Sequence, residues 1–109
     1  MVIDNRQKTL LRSIGHKLKP IVTVASNGLT DKVLKEIQRA LSDHELIKVK
    51  LAIIDRQQRK ETTVSICHHT QAVIAQVIGK TALLYLPAPK PNMKLSNVNT
   101  YREDLRRRI

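Results

Sequence analysis

The chain is poor in aromatic residues: its 109 residues include no tryptophan, no phenylalanine and only two tyrosines, Tyr85 and Tyr101. Proteins that recognise RNA by base stacking present several aromatic rings on one surface. The composition therefore argues against recognition of stacked bases on an aromatic sheet. Contacts with phosphate groups and with nucleic-acid shape remain open to this chain, and such contacts carry little sequence information.

Cysteine is equally scarce, since Cys67 is the only one, and no intramolecular disulfide can form. The adjacent His68 and His69 suggest a metal site, but successive side chains diverge by about 100° on a helix or 180° on a strand. No second cluster supplies partner ligands at zinc spacing. We expect no metal ion and no other cofactor. The favoured interpretation is exposed histidines at a helix end, and the alternative is contact with RNA.

Acidic residues are few, nine against twenty lysines and arginines. A nuclease needs several carboxylates around Mg²⁺, whereas the carboxylates from Asp31 to Glu45 are spaced to balance nearby lysines and arginines on helix faces. The segment Gly79-Lys80-Thr81 resembles only the end of a nucleotide-binding loop and lies in a predicted hairpin. We therefore expect a protein that is not an enzyme and has no small-molecule substrate.

Long apolar runs are missing as well. No segment approaches the roughly 18 consecutive apolar residues of a membrane span, and residues 1–6 lack the apolar core of a signal peptide. We expect a cytoplasmic protein without a membrane partner. Its length suits one domain, which we expect to be a monomer.

Positive charge is abundant and uneven. The net charge is +11, of which residues 1–19 and residues 90–109 carry +4 each. Such a distribution is typical of a protein that binds phosphate groups, and salt should weaken the binding steeply.

Apolar periodicity predicts a helix over residues 5–15, a strand over 20–24 and a helix over 31–42. A strand over 46–54, a helix over 55–70, and a hairpin of strands 71–78 and 81–86 follow. In the strand over 46–54, Lys48 and Lys50 share one face, so one side of the sheet should be open or partly covered. In the helix over 55–70, Val64 and Cys67 are predicted to face inward. The order α-β-α-β-α-β-β predicts a single small α/β domain with a mixed four-stranded sheet and three helices.

Prolines at 87, 89 and 91 end the regular pattern. We place the domain at residues 1–87 and a basic, proline-containing tail, flexible or weakly helical, at residues 88–109.

The segment 25–30 joins the first strand to the second helix. A short turn of Ser26, Asn27 and Gly28 at a helix N-terminus leaves backbone N–H groups that favour an anion, most often a phosphate. In a chain this basic, the phosphate would belong to a nucleic acid. The alternative is a plain turn with Thr30 as helix N-cap.

Three segments resemble the YhbY-type single CRM domain (chloroplast RNA splicing and ribosome maturation). They are residues 18–22 running into residues 26–30, residues 44–50, and residues 76–81 together with Leu84 and Tyr85. The resemblance covers about residues 5–87 and implies an RNA-binding domain with a fold similar to the C-terminal domain of bacterial translation initiation factor three. It also implies association with precursors of the large ribosomal subunit, as in bacterial stand-alone members, whereas plant organelle relatives serve in intron splicing.

The family's glycine loop, likened to the GxxG of KH domains, corresponds to Ala25-Ser26-Asn27-Gly28. The chain departs from the family pattern at three positions: Ala25 replaces the first loop glycine, Gln71 replaces a glycine and Leu86 replaces an arginine.

We therefore expect a non-catalytic protein that binds structured ribosomal RNA during large-subunit assembly. The residues expected to contact RNA are Lys19, Ala25, Ser26, Asn27, Gly28, Lys32, Lys48, Lys50, Lys80, Arg106, Arg107 and Arg108. The alternative is a protein-interaction module that binds an acidic partner through the tail alone. RNA binding predicts that the lysines and the loop form one continuous surface.

Overall fold

The computed structural model describes residues 2–106. Its elements are α1 (Asn5–Gly15), β1 (Pro20–Val24), α2 (Asp31–His44), β2 (Leu46–Leu51), α3 (Arg56–Thr70), β3 (Val73–Ile78), β4 (Thr81–Tyr85), a 3₁₀ turn (Asn99–Tyr101) and α4 (Arg102–Arg106). The predicted order of the first seven elements is confirmed. The predicted number of helices was too small, because α4 follows the sheet.

The four strands form one mixed sheet in the order β1-β2-β4-β3. Strands β1 and β2 are parallel, and β4 runs antiparallel to both β2 and β3. The carboxyl ends of β1 and β2 therefore lie at the same edge of the sheet, together with the turn between β3 and β4. We call this the loop edge.

Helices α2 and α3 cover one face of the sheet. Helix α2 buries Ile37, Ala40 and Leu41, whose spacing places them on one side of the helix. In α3, Ile66 is buried between Thr63 and Thr70. Both threonine hydroxyls donate to carbonyls four residues earlier, at 2.9 and 2.8 Å, which satisfies them inside the core.

The inward face predicted for α3 was partly wrong. Val64 is 55% exposed, whereas Cys67 is half-buried against the core. The stripe that packs on the sheet begins one residue earlier, because the threonines can be buried once their hydroxyls bond to the helix backbone.

Helix α1 covers only part of the other face. Leu11 and Ile14 are buried there, in a second apolar cluster that includes Leu83. A Cβ atom on Gly15 would lie 2.6 Å from the Leu83 side chain, so any larger residue there would have to displace Leu83. The part of this face around Lys48 and Lys50 is open, as the lysines of β2 predicted.

The described part of the tail, residues 88–106, is folded against the domain. Val98 and Leu105 are buried in the same cluster as α1. The Asn97 side-chain amide donates to the Leu46 carbonyl at 2.7 Å, and the Gln7 amide donates to the Leu105 carbonyl at 2.5 Å. This segment contains a 3₁₀ turn and the short helix α4, in keeping with the weakly helical alternative. It differs from the flexible alternative because two apolar side chains fill the gap beside α1. A domain boundary at residue 87 stays a prediction.

Three strands are shorter than predicted, and β4 loses a single residue because it ends at Tyr85 instead of residue 86. Strand β2 ends at Leu51 instead of residue 54, because the Arg59 guanidinium binds the carbonyls of Ile53 and Ile54, each at 2.7 Å. Strand β3 begins at Val73 instead of residue 71, because Gln71 caps α3 with a left-handed φ of 68°.

Candidate nucleic-acid interface

The loop after β1 is a tight turn. The Gly28 N–H donates to the Ala25 carbonyl at 2.9 Å, and Gly28 has a φ of 88°. Only glycine adopts this backbone conformation without strain. Ala25, Ser26 and Asn27 are exposed, so the turn presents polar groups to solvent at the loop edge.

The same loop leads into the N-terminus of α2. Thr30 is the N-cap, and its Oγ1 accepts the Val33 N–H at 3.2 Å. The backbone N–H groups of Asp31 and Lys32 precede the first helical hydrogen bonds and remain available to a ligand. Both side chains are exposed. Asp31 places a negative charge in the first turn of α2 and would repel an anion. The positive charge of the neighbouring Lys32 offsets this repulsion.

Two backbone hydrogen bonds hold the loop edge together. The Ala52 N–H donates to the Val24 carbonyl at 2.8 Å, and the Leu51 N–H donates to the Lys80 carbonyl at 2.6 Å. The end of β2 is thus flanked by the loop on one side and by Lys80 on the other. Lys50, one residue before this end, is exposed between them.

The open part of the sheet continues from the loop edge. Its side chains follow from strand register, since alternate residues share a face: Lys50 lies opposite Thr23 and Thr81, and Lys48 lies opposite Leu83. We call this surface the open face; its members are Thr23, Lys48, Lys50, Gln76, Ile78 and Thr81. Lys48 is half-buried and Lys50 is exposed. Because both residues belong to β2 and are two positions apart, the two cations lie in a line along this strand.

Some predicted residues lie away from the loop. Lys19 is exposed just before β1, beyond the opposite end of that strand from the loop. Arg106 is exposed at the end of α4 and lies beside Glu103 at 3.5 Å. This helix packs near the start of β2, about 17 Å along that strand from the loop edge at 3.4 Å per residue. Arg107 and Arg108 lie outside the described residues.

Glu45 is a charged residue whose structural role sequence reasoning missed. It is fully buried, and its carboxylate accepts hydrogen bonds from Arg102 at 2.6 and 3.4 Å, from the Ala88 N–H at 3.0 Å and from the Ser96 hydroxyl at 2.9 Å. Burial would raise the pKa of Glu45, but these hydrogen bonds and the Arg102 charge together hold that pKa below its ordinary value. The expected balance with helix cations was wrong for Glu45.

The segment from Cys67 to His69 does not form a metal site in the described residues. The ring centroids of His68 and His69 lie 5.7 Å apart, in an edge-to-face arrangement. Burial raises the pKa of the Cys67 thiol. Across residues 2–106, no group of three or more histidines, cysteines or carboxylates is arranged to hold a metal ion.

The three departures from the family pattern have clear structural settings. Among residues 2–106, positive φ outside glycine occurs only at Glu45 and Gln71, so Ala25 is accommodated without a left-handed backbone. Gln71 occupies a left-handed position, which glycine adopts at lower cost. Leu86 is half-buried against the core, and its N–H donates to the Glu45 carbonyl at 2.8 Å.

The described helices include none that is long and apolar enough to cross a membrane.

Several known proteins are similar to this chain over most of its length. A probable RNA-binding protein of Pseudomonas aeruginosa is 48% identical over 101 residues, which cover 93% of this chain and 97% of the relative. An RNA-binding protein of Haemophilus influenzae is 40% identical over 93 residues, which cover 85% and 94%.

The solution structure of a hypothetical Staphylococcus aureus protein, described as a candidate RNA-binding protein, has a TM-score of 0.73 and 28% identity. The match covers 82% of this chain and 93% of that protein. The CRS1/YhbY (CRM) domain model matches residues 3–85. On its sequence, its sheet and its relatives, the chain belongs to the CRS1/YhbY (CRM) domain family.

Proposed function

We propose that this protein binds structured ribosomal RNA in the cytoplasm, as a monomer and without catalysing a reaction, during assembly of the large ribosomal subunit. The observation that carries the proposal is the convergence of the 25–28 turn, the α2 N-terminus, Lys32, Lys50 and Lys80 at the loop edge. Relatives named as RNA-binding proteins support the RNA part. The ribosomal part rests on the family resemblance.

In this mechanism, a phosphate group of the RNA lies against the turn and the first N–H groups of α2. The helix dipole and Lys32 stabilise its charge. Lys50 and Lys48 bind the next phosphates across the open face, and Lys80 approaches from the hairpin. Lys19 and the arginines at 106–108 add longer-range attraction, which salt screens.

The test is RNA binding by a double variant, Ser26→Asp/Asn27→Asp. Both residues are exposed and have ordinary backbone geometry, so the variant should stay folded. Two carboxylates beside the phosphate site should weaken binding of a ribosomal RNA fragment by at least about tenfold at low salt. Binding would be followed by fluorescence anisotropy, and folding by circular dichroism.

The matched control is Gln38→Glu/Ser42→Glu, which adds the same charge on the exposed side of α2, toward its far end. It should reduce affinity much less than the loop variant. Equal losses in the two variants would mean that only net charge matters, and the loop proposal would fail.

The alternative is an acidic protein partner held by the tail. It is weaker because two described tail cations already have carboxylate partners, Arg102 with Glu45 and Arg106 with Glu103. A chain ending at Arg106 keeps the folded segment and removes two arginines. If this shortening abolished RNA binding while the loop variant did not, the tail alone would carry the function.

A further inference from the structure

A small cavity lies on the open face, between the end of α1 and the sheet. Its volume is about 200 Å³. Its apolar lining consists of the buried Leu83, the exposed Ile78 and Pro20, and Lys48 also borders it. Three further side chains with hydrogen-bonding groups complete it: His16, Gln76 and Thr81.

Those three polar side chains have no protein partner. Across residues 2–106, His16, Gln76 and Thr81 make no side-chain hydrogen bond. The Gln76 amide offers both donors and an acceptor, the Thr81 hydroxyl offers both roles, and the His16 ring adds a planar surface. A ligand that matches the cavity therefore has flat apolar faces and a polar edge.

A nucleobase has this chemistry. We propose that the cavity binds one unpaired nucleobase, and this inference rests on the proposed RNA binding by the same face. Leu83 and Ile78 contact one face of the base, and His16 and Pro20 lie along its side. Gln76 and Thr81 bind its polar edge, while Lys48 binds the adjoining phosphate.

The position of the cavity fits the proposed path of the RNA. Lys48 lines the cavity and is two residues from Lys50, a step of about 7 Å along β2 toward the loop edge. A strand whose phosphate is held at the loop edge can thus cross Lys50 and place a following base beside Gln76. The scarcity of aromatic residues argues against a row of stacked bases, but it allows a single unpaired base to be recognised at its edge.

The test uses two short hairpin RNAs that differ by a single bulged nucleotide. The protein should bind the bulged hairpin about tenfold more tightly than the fully paired one. Each of the four bulged nucleotides would be tried in turn. Gln76→Leu and His16→Ala should lose this preference. Gln38→Leu, an exposed glutamine on α2, is the matched control and should retain the preference.

A direct readout is the fluorescence of 2-aminopurine placed in the bulge. It should change on binding of the unaltered protein and of Gln38→Leu, and should change much less with Gln76→Leu or His16→Ala. No preference for any bulge in the unaltered protein, or an unchanged preference in both cavity variants, would overturn the inference.

The two proposals fail in different ways. If Ser26→Asp/Asn27→Asp weakens binding to both hairpins while the cavity variants keep the bulge preference, the phosphate site stands and the base cavity does not. If the unaltered protein binds neither hairpin, both proposals are wrong.

Discussion

At the scale of single residues, Arg102 has the clearest energetic role. Its guanidinium reaches a fully buried Glu45 at 2.6 Å and also binds the Asn99 side chain, although 23% of the arginine side chain is exposed. Removing one partner of a buried ion pair leaves an uncompensated charge. Arg102→Met should therefore lower the free energy of unfolding by about 3 kcal/mol, measured by urea denaturation. Arg106→Met, whose ion pair with Glu103 is exposed, should change it little.

The pH dependence separates an electrostatic role for Arg102 from simple packing. In the unaltered protein the folded pKa of Glu45 is lowered, so its contribution is complete above the ordinary carboxyl pKa of about 4.3. That contribution is lost as the pH falls through the folded value. In Arg102→Met, burial dominates and favours the neutral acid. The stability difference between the two proteins should shrink on acidification, and a constant difference would contradict the charge argument.

Gln71 has a backbone conformation that glycine would adopt at a lower cost in free energy. Its φ of 68° is unfavourable for a side chain, and its amide makes only an exposed hydrogen bond to the His68 carbonyl. Gln71→Gly should raise the free energy of unfolding by about 0.5 kcal/mol. Gln38→Gly, inside α2, should lower it by about 1 kcal/mol. Thermal unfolding of both variants would check the opposite signs, and a loss of stability in Gln71→Gly would contradict the argument.

Residue roles were predictable only where the partner is near in sequence. Thr30 is a helix cap because its hydroxyl acts three residues away. Glu45 was misinterpreted because its partner Arg102 is 57 residues away, and periodicity carries no information on such pairs. Likewise, the cavity joins His16 to Gln76 and Thr81 through the packing of α1 on the sheet.

At the scale of elements, the packing of α4 and of the segment before it against α1 makes these residues contribute to the stability of the fold. Leu105 is 7% exposed within the α1 cluster. Leu105→Ala should lower the free energy of unfolding by about 2 kcal/mol, because it leaves a cavity beside Leu11 and Val98. Leu95→Ala, 46% exposed, is the control and should have a small effect. If the two variants lowered the free energy of unfolding equally, as measured by denaturant unfolding, then α4 would not be packed against α1.

The same elements show what periodicity does and does not reveal. Helix α2 was evident because its apolar residues recur at helical spacing, and β2 was evident because lysines alternate with apolar residues. The fold of residues 88–106 was missed because Val98 and Leu105 are isolated in a polar sequence. Two well-placed apolar side chains suffice when the rest of the domain already offers a complementary gap.

At the scale of the whole molecule, charge should govern affinity through salt. If Lys32, Lys48, Lys50 and Lys80 each neutralise one phosphate, the logarithm of the binding constant should fall with the logarithm of salt concentration with a slope of about −3 to −4. Replacing any one of the four by Gln should reduce the magnitude of the slope by about 0.7 to 0.9. Lys94→Gln, exposed in the tail, should leave it nearly unchanged. A similar reduction for every lysine would indicate binding by diffuse charge.

The contact between Glu45 and Arg102 also has a consequence for how the protein is made. A ribosome that adds about 5 to 20 residues per second needs roughly 3 to 11 seconds to proceed from one residue to the other. Until Arg102 has been added, the Glu45 carboxylate lacks its cation, and its burial is unfavourable. Stable closure of this end of the sheet therefore has to wait for a residue that is made 57 positions later.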